Sequence, residues 1–363
     1  MKIHSLTTII EGDRVKVAAR VTCSDGDALL WYSVDRVYQD FLETERLDAF
    51  LVGLLSFAMA RNEDIYIAGA ISEKLFYSLT HSLIKILSLL HPSSHQIKIF
   101  PSTLMSAQSR PKSTGVATGF SGGVDSFCVL ADHFYQVTSE SYRITHLVFN
   151  NVGSHGLGGR QLFWQRYDRL LGFAQAHQLP FVSIDSNLDE IVNLDFRHTH
   201  TSRNISAILV LQPLFRKFLY ASAHKYENCF IGPSEDASVI DPVGIHLFST
   251  ENTEFISTGC EYSRVEKTEK VADLEDSYQY LDVCVDALEQ AHNCSTCWKC
   301  ARTLLTLEIL GKQAHYSQVF DIDKFQRVRE DYIQSILTEK KPLEQEVIDL
   351  ARARQYPLIP GFK

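Results

Sequence analysis

Residues 116–126 read Val116-Ala117-Thr118-Gly119-Phe120-Ser121-Gly122-Gly123-Val124-Asp125-Ser126. The apolar run 116–120 predicts a buried strand, and the apolar spacing over 127–137 predicts a helix. Between them, two adjacent glycines allow a tight turn that brings backbone N–H groups toward a ligand. A helix start adds unpaired N–H groups and the positive end of the dipole. Ser121 and Ser126 supply hydroxyl donors, and Asp125 is suited to cap the helix or to help hold Mg2+. Strand, loop and helix together predict an anion site sized for phosphate or pyrophosphate; the plainer alternative is a helix cap after a glycine turn. Two other phosphate motifs fail. No G-x-x-x-x-G-K-[ST] occurs, and Gly156-Leu157-Gly158-Gly159 lacks the third glycine of a dinucleotide fingerprint.

Outward from the loop, strand-like and helix-like runs alternate. On the C-terminal side strands are expected at 144–149, 181–184 and 229–232, with helices at 160–176 and 205–223. That alternation predicts an α/β fold, a doubly wound parallel sheet with helices on both faces. On the N-terminal side strands are expected at 15–23, 29–34, 65–68 and 97–100, with helices at 47–60 and 75–90. Residues 101–115 are rich in Ser, Pro and Thr and read as a boundary. A chain of 363 residues fits about two domains. The expected division is an N-terminal α+β domain (1–112), a central domain (113–311) and a helical C-terminal extension (312–363).

Composition narrows the function. With 45% hydrophobic and 22% charged residues, the chain has the make-up of a globular protein. The formal charge of −9 counts against a nucleic-acid partner, which calls for a basic face. Residues 1–112 hold 12 basic and 12 acidic side chains, so the −9 resides in the remainder. No secretory signal or membrane span is apparent, and a soluble, cytoplasmic protein is expected.

Four of the eight cysteines, Cys284, Cys294, Cys297 and Cys300, fall within 17 positions. Clustered thiols in a cytoplasmic protein read as a metal site, and four thiolates satisfy tetrahedral Zn2+. An iron–sulfur cluster is the alternative, and His292 is a substitute ligand should Cys284 not take part.

The SGGVDS loop resembles the signature of the PP-loop ATP pyrophosphatases, a superfamily with an adenine nucleotide α-hydrolase-like fold. The resemblance covers roughly residues 113–311. It implies ATP cleavage between the α and β phosphates, with pyrophosphate held by Ser121, Gly122, Gly123, Val124, Asp125 and Ser126. The cysteine pattern, followed by Arg302, and the stretch Ser263–Val271 with Arg264 and Lys267 are similar to the 7-cyano-7-deazaguanine synthase family. That family converts a ring carboxylate to an amide and then a nitrile. An ATP-dependent ligase is therefore expected: a substrate carboxylate or carbonyl oxygen is adenylated, pyrophosphate leaves, and a C–N bond forms. Implied cofactors are ATP, Mg2+ and Zn2+. The chain departs from the family in its extra N-terminal 110 or so residues, its longer gap before the cysteine triplet, and Ile231–Ser238, which does not reproduce the substrate-contacting stretch.

Other residues are weighed singly. Asn150 and Asn151 end an expected strand, where amides can read a nucleobase edge. Residues 197–204 read as a helix cap, with anion binding as the alternative. Glu235 and Asp236 are candidates for Mg2+ or substrate contacts, and Arg264 and Lys267 for phosphate neutralisation. Expected partners are a carboxylate-bearing small molecule or modified base, a protein or peptide substrate, and a second copy in a homodimer. Rival functions are sulfur transfer through Cys260 and ATP binding without catalysis.

Overall fold

The computed structural model describes residues 1–106, 113–285, 292–339 and 341–359. Ten strands form one sheet: β1 (Lys2–Glu11), β2 (Arg14–Cys23), β3 (Gly26–Asp35), β4 (Ile65–Ser72), β5 (Ile99–Met105), β6 (Gly115–Gly119), β7 (His146–Asn151), β8 (Phe181–Ser186), β9 (Phe215–Ala221) and β10 (Glu254–Thr258). Their order is β10-β9-β6-β7-β8-β3-β2-β1-β4-β5. The five strands from β10 to β8 are mutually parallel. Numbered by appearance within this group, they run 3-2-1-4-5 across the sheet from β8 to β10. The loop after β6 therefore sits where the strand order reverses, the position at which open α/β sheets bind ligands.

The N-terminal strands extend this sheet. β1, β2 and β3 form an antiparallel meander through two-residue connections. β3 then pairs antiparallel with β8, Tyr32 opposite Ser186 and Ser33 opposite Asp185. β4 and β5 add in parallel beyond β1. One apolar core contains Ile3, Val17 and Leu54 together with Val148, Val182 and Ile208. The helix Asp48–Arg61 is buried on nearly every side, as its almost unbroken apolar sequence requires, and packs on the helix Phe196–Leu209. Gly53 permits this closeness, since a Cβ there would lie 3.2 Å from Ser206 Oγ of the second helix and 2.5 Å from the Tyr32 hydroxyl of β3.

Alternation along the central strands supplies both faces. Val148 and Val182 join the core under Asp48–Arg61 and Phe196–Leu209. Leu147, Phe149 and Phe181 join a second core with helices Val124–Leu130, Arg160–Ala176 and Trp298–Ile309. Helices Ile322–Glu339 and Pro342–Ala353 of the C-terminal extension pack into that second core.

Several elements differ from the sequence expectation. Residues 2–11 form an unanticipated strand, and 101–105 of the expected boundary belong to β5; residues 107–112 lie outside the described residues. The helix expected over 205–223 is instead Phe196–Leu209 followed by β9. Pro213 explains the break. Its ring clashes with the carbonyl four residues back, which is Leu209, the last helical residue. Residues 229–232 form no strand, and the fifth parallel strand is β10.

Candidate functional site

Phe120 leaves β6 with its N–H on the Val148 carbonyl, 2.8 Å away, and the chain turns at Ser121-Gly122-Gly123. Gly122 has φ +76°, and a Cβ there would meet the Tyr280 carbonyl at 2.7 Å, so only glycine fits. Helix Val124–Leu130 begins with Gly123 as N-cap and no side-chain cap. Asp125, weighed as a cap, instead receives Arg264 Nη2 at 2.8 Å and Lys267 Nζ at 3.1 Å. Burial alone would raise the Asp125 carboxyl, but these two cations outweigh it and hold the group below the ordinary carboxylate range. Lys267 is almost wholly buried and also donates to the Ser222 carbonyl at 2.5 Å, so it sits behind Asp125 rather than in the open site. Ser126 Oγ donates to the Gly123 carbonyl at 2.9 Å.

A cavity of about 270 Å3 opens on this loop. Four cations line it: Arg166 from helix Arg160–Ala176, Arg264 from helix Arg264–Val271, and Lys299 and Arg302 from helix Trp298–Ile309. Among the described residues two carboxylates face them, Asp125 beside Arg264 at 2.8 Å and Asp282 beside Arg166 at 3.9 Å. The Nε atoms of Arg166, Arg264 and Arg302 are buried without a hydrogen-bond partner among the described residues. Lys299 has no carboxylate within ion-pair distance among those residues, and burial together with Arg264 and Arg302 pushes its ammonium down. Burial, then Arg166, pushes His155 in the same wall down to about 3, so its imidazole is neutral. The C-terminal helix holds the arginines from behind. Glu344 accepts from Arg302 Nη1 at 3.3 Å, and Glu346 accepts from the Arg264 backbone N–H at 2.7 Å.

A second cavity, about 280 Å3, shares Ser121, Asp125, Ser126, Phe149 and Ser154 with the first. Its other wall is mostly aromatic and uncharged, with Asn150, Phe196, His200, Asn204, Phe218 and Tyr220. Asn150 faces this cavity. Asn151, one residue on, is buried and donates to Asp185 Oδ1 at 2.8 Å. Strand alternation thus separates the two amides, which sequence proximity alone had joined. Glu235 and Asp236 are paired with His198 and His200, each at 3.1 Å. Residues 197–204 are not a cap but two turns of helix, and the cap is Asp195, which accepts from the Arg197 N–H. Cys260 lies in a turn, but its side chain is fully buried against Ser257.

The four cysteines converge. Their sulfurs all lie within 4.8 Å of one another. Cys284 and Cys297 are 4.0 Å apart, and Cys294 and Cys300 are 3.9 Å apart. A tetrahedral ion with metal–sulfur bonds of about 2.3 Å separates its sulfurs by about 3.8 Å, so the set fits a single ion such as Zn2+. Backbone N–H groups of Cys294 and Cys297 point at the sulfurs of Cys284 and Cys294, at 3.4 and 3.2 Å, and such bonds stabilise thiolates. Ser295, at φ +68°, makes the knuckle turn. His292 is exposed and outside this group.

Searches of protein-family models, of curated proteins and of solved structures return no match to this chain. The site therefore rests on its own geometry. The structure brings Ser121, Asp125, Ser126, Arg264 and Lys267 together and adds Arg166, Asp282 and Lys299, which sequence reasoning missed. Lys299 carried one signal, its place inside the cysteine triplet. Arg166 is one of several charges on an amphipathic helix and carried none.

Proposed function

We propose that this chain is an ATP-dependent ligase that joins a carboxylate-bearing substrate to a nitrogen nucleophile, releasing AMP and pyrophosphate. The observation that carries this reading is the convergence of four cations from three helices on a cavity at the glycine loop, where among the described residues Asp125 and Asp282 are the carboxylates that face them and Lys299 has no carboxylate within ion-pair distance. Like charges held this close repel unless a polyanion joins them. The parallel order 3-2-1-4-5 with helices on both faces supports the doubly wound, adenine nucleotide α-hydrolase-like fold.

In this reading the triphosphate occupies the cationic cavity. A substrate carboxylate oxygen attacks the α-phosphorus, and the bond to the bridging oxygen breaks with its electron pair going to pyrophosphate. Lys299, Arg302, Arg264 and the loop N–H groups meet that growing charge. The nitrogen nucleophile then adds to the acyl carbon, AMP leaves with the electron pair of its C–O bond, and the surplus proton passes to water. The aromatic cavity takes an uncharged ring, of the base or of the acceptor. Zn2+ at the four cysteines is structural, because four thiolates leave no open coordination position. Both Asp125 oxygens are held by cations, so Mg2+ accompanies the nucleotide phosphates instead of resting in a carboxylate cage.

The test is twofold: binding of a non-hydrolysable ATP analogue, and pyrophosphate release across a panel of aromatic and heteroaromatic carboxylic acids with an ammonium salt. Binding with acid-dependent release supports the ligase. Binding without release from any acid points to a nucleotide-binding protein that does no chemistry, and absence of binding sinks the reading.

A further inference from the structure

The cysteine centre does more than close a knuckle, because its ligands come from two separate elements that both line the cationic cavity. Cys284 lies on the arm 281–285, which docks on the glycine loop: the Asp282 N–H donates to the Gly122 carbonyl at 2.7 Å. Tyr280, just before this arm, presents the carbonyl against which Gly122 is packed. Cys284 itself lines the cavity. On the second element, Cys297 is the N-cap residue of helix Trp298–Ile309 and Cys300 lies in its first turn. Lys299 and Arg302, on that same turn and the next, face the cavity. Apart from the metal ligands, Asn293 makes the same crossing. Its Oδ1 accepts from the Val283 N–H at 2.8 Å and its Nδ2 donates to the Leu281 carbonyl at 2.9 Å. Two neutral hydrogen bonds are far weaker than four metal–thiolate bonds.

We infer that the metal is a clamp that sets the width of the anion cavity, so that metal retention and polyphosphate binding are coupled. Lys299 and Arg302 contact the anion, and the four cysteines are positioning residues for them. The inference rests on the polyanion reading of the cavity. Coupling between two sites is reciprocal: the ion improves anion affinity, and the anion slows loss of the ion.

The probe is inorganic pyrophosphate and the protein is the full chain with its ion. Calorimetry on loaded and stripped protein should show at least about tenfold weaker pyrophosphate binding after stripping, with the far-ultraviolet circular dichroism unchanged. In the reciprocal measurement, pyrophosphate should slow release of the ion to a chromophoric chelator by a similar factor. The Lys299→Gln/Arg302→Gln double variant, which keeps all four cysteines, should lose that protection; this also separates the effect from direct chelation by pyrophosphate. Should stripping unfold the chain, the release rates of the loaded protein decide alone. Pyrophosphate that binds the loaded protein yet neither senses the metal nor protects it overturns the clamp while leaving the anion site standing. A loaded protein that binds no pyrophosphate overturns both.

Discussion

The two cavities share a wall at Ser121, Asp125, Ser126, Phe149 and Ser154 and differ in their remaining walls. One is walled by four cations from three helices; the other is walled by Phe196, Phe218, Tyr220 and two amides. The cations sit on helices of the second core, fastened from behind by Glu344, Glu346 and the cysteine centre. The aromatic wall belongs to β9, β7 and helix Phe196–Leu209, elements of the core shared with the N-terminal strands. Charge and shape are thus supplied by different parts of the chain, and substitutions can separate them.

The largest effect is expected at the shared wall. Gly122→Val places a branched side chain at φ +76° against the Tyr280 carbonyl, and should abolish binding to both cavities, lowering ATP-analogue affinity at least about 100-fold. The strain should also cost about 1–3 kcal/mol of stability, measured by denaturant titration. Near-normal affinity in this variant would break the claim that the loop serves both cavities. Next, Lys299→Gln and Arg302→Gln should each weaken pyrophosphate about 10- to 100-fold, about 1.4–2.8 kcal/mol at 25 °C, whereas Asn204→Ala on the aromatic side should leave it within about twofold. Equal losses from both sides would erase the division of labour.

A third prediction concerns Asp241, fully buried behind the aromatic cavity, where it accepts from Thr201 Oγ1 at 3.0 Å. Burial raises its carboxyl to about 7, against opposing contributions from His200 and the Thr201 hydroxyl, with Asp236 adding to the rise. The folded protein therefore keeps a proton that the unfolded chain has released, and the stability Asp241 contributes is lost as pH rises from about 4 through about 7. Asp241→Asn should remove that slope, with a relative gain of up to about 4 kcal/mol at pH 8 and little change at pH 4. An unchanged slope in the variant would falsify this assignment. The smallest contrast lies between neighbours. Asn151→Ala should cost about 1–3 kcal/mol by leaving Asp185 short of a donor, while Asn150→Ala should leave stability within about 0.5 kcal/mol and reduce affinity for the ring.

Much of this division was invisible in the sequence, for identifiable reasons. SGGVDS and the cysteine spacing are local patterns, and a loop or knuckle built from adjacent residues can be read from adjacent residues. Arg264 and Lys267 were reached through resemblance; that they meet Asp125 is a matter of tertiary packing. Apolar spacing by itself carries a helix across 205–223, whereas Pro213 limits the helix to Phe196–Leu209, frees Phe215–Ala221 to form β9, and leaves His198 and His200 on the helix to meet Glu235 and Asp236.

By itself the sequence determined the α/β class, the glycine turn that only glycine can make, and four thiols spaced for one ion, since each depends on backbone geometry within a few residues or on a short repeated period. Tertiary structure alone decided that residues 1–106 extend the same sheet, that the cysteine ligands join two elements lining one cavity, and that Arg166, Arg264, Lys299 and Arg302 line it together. Among the cations alone, Arg264 lies 35 positions from Lys299 and Arg166 lies 136 from Arg302. Long-range electrostatics and packing act through space, and no local period records them.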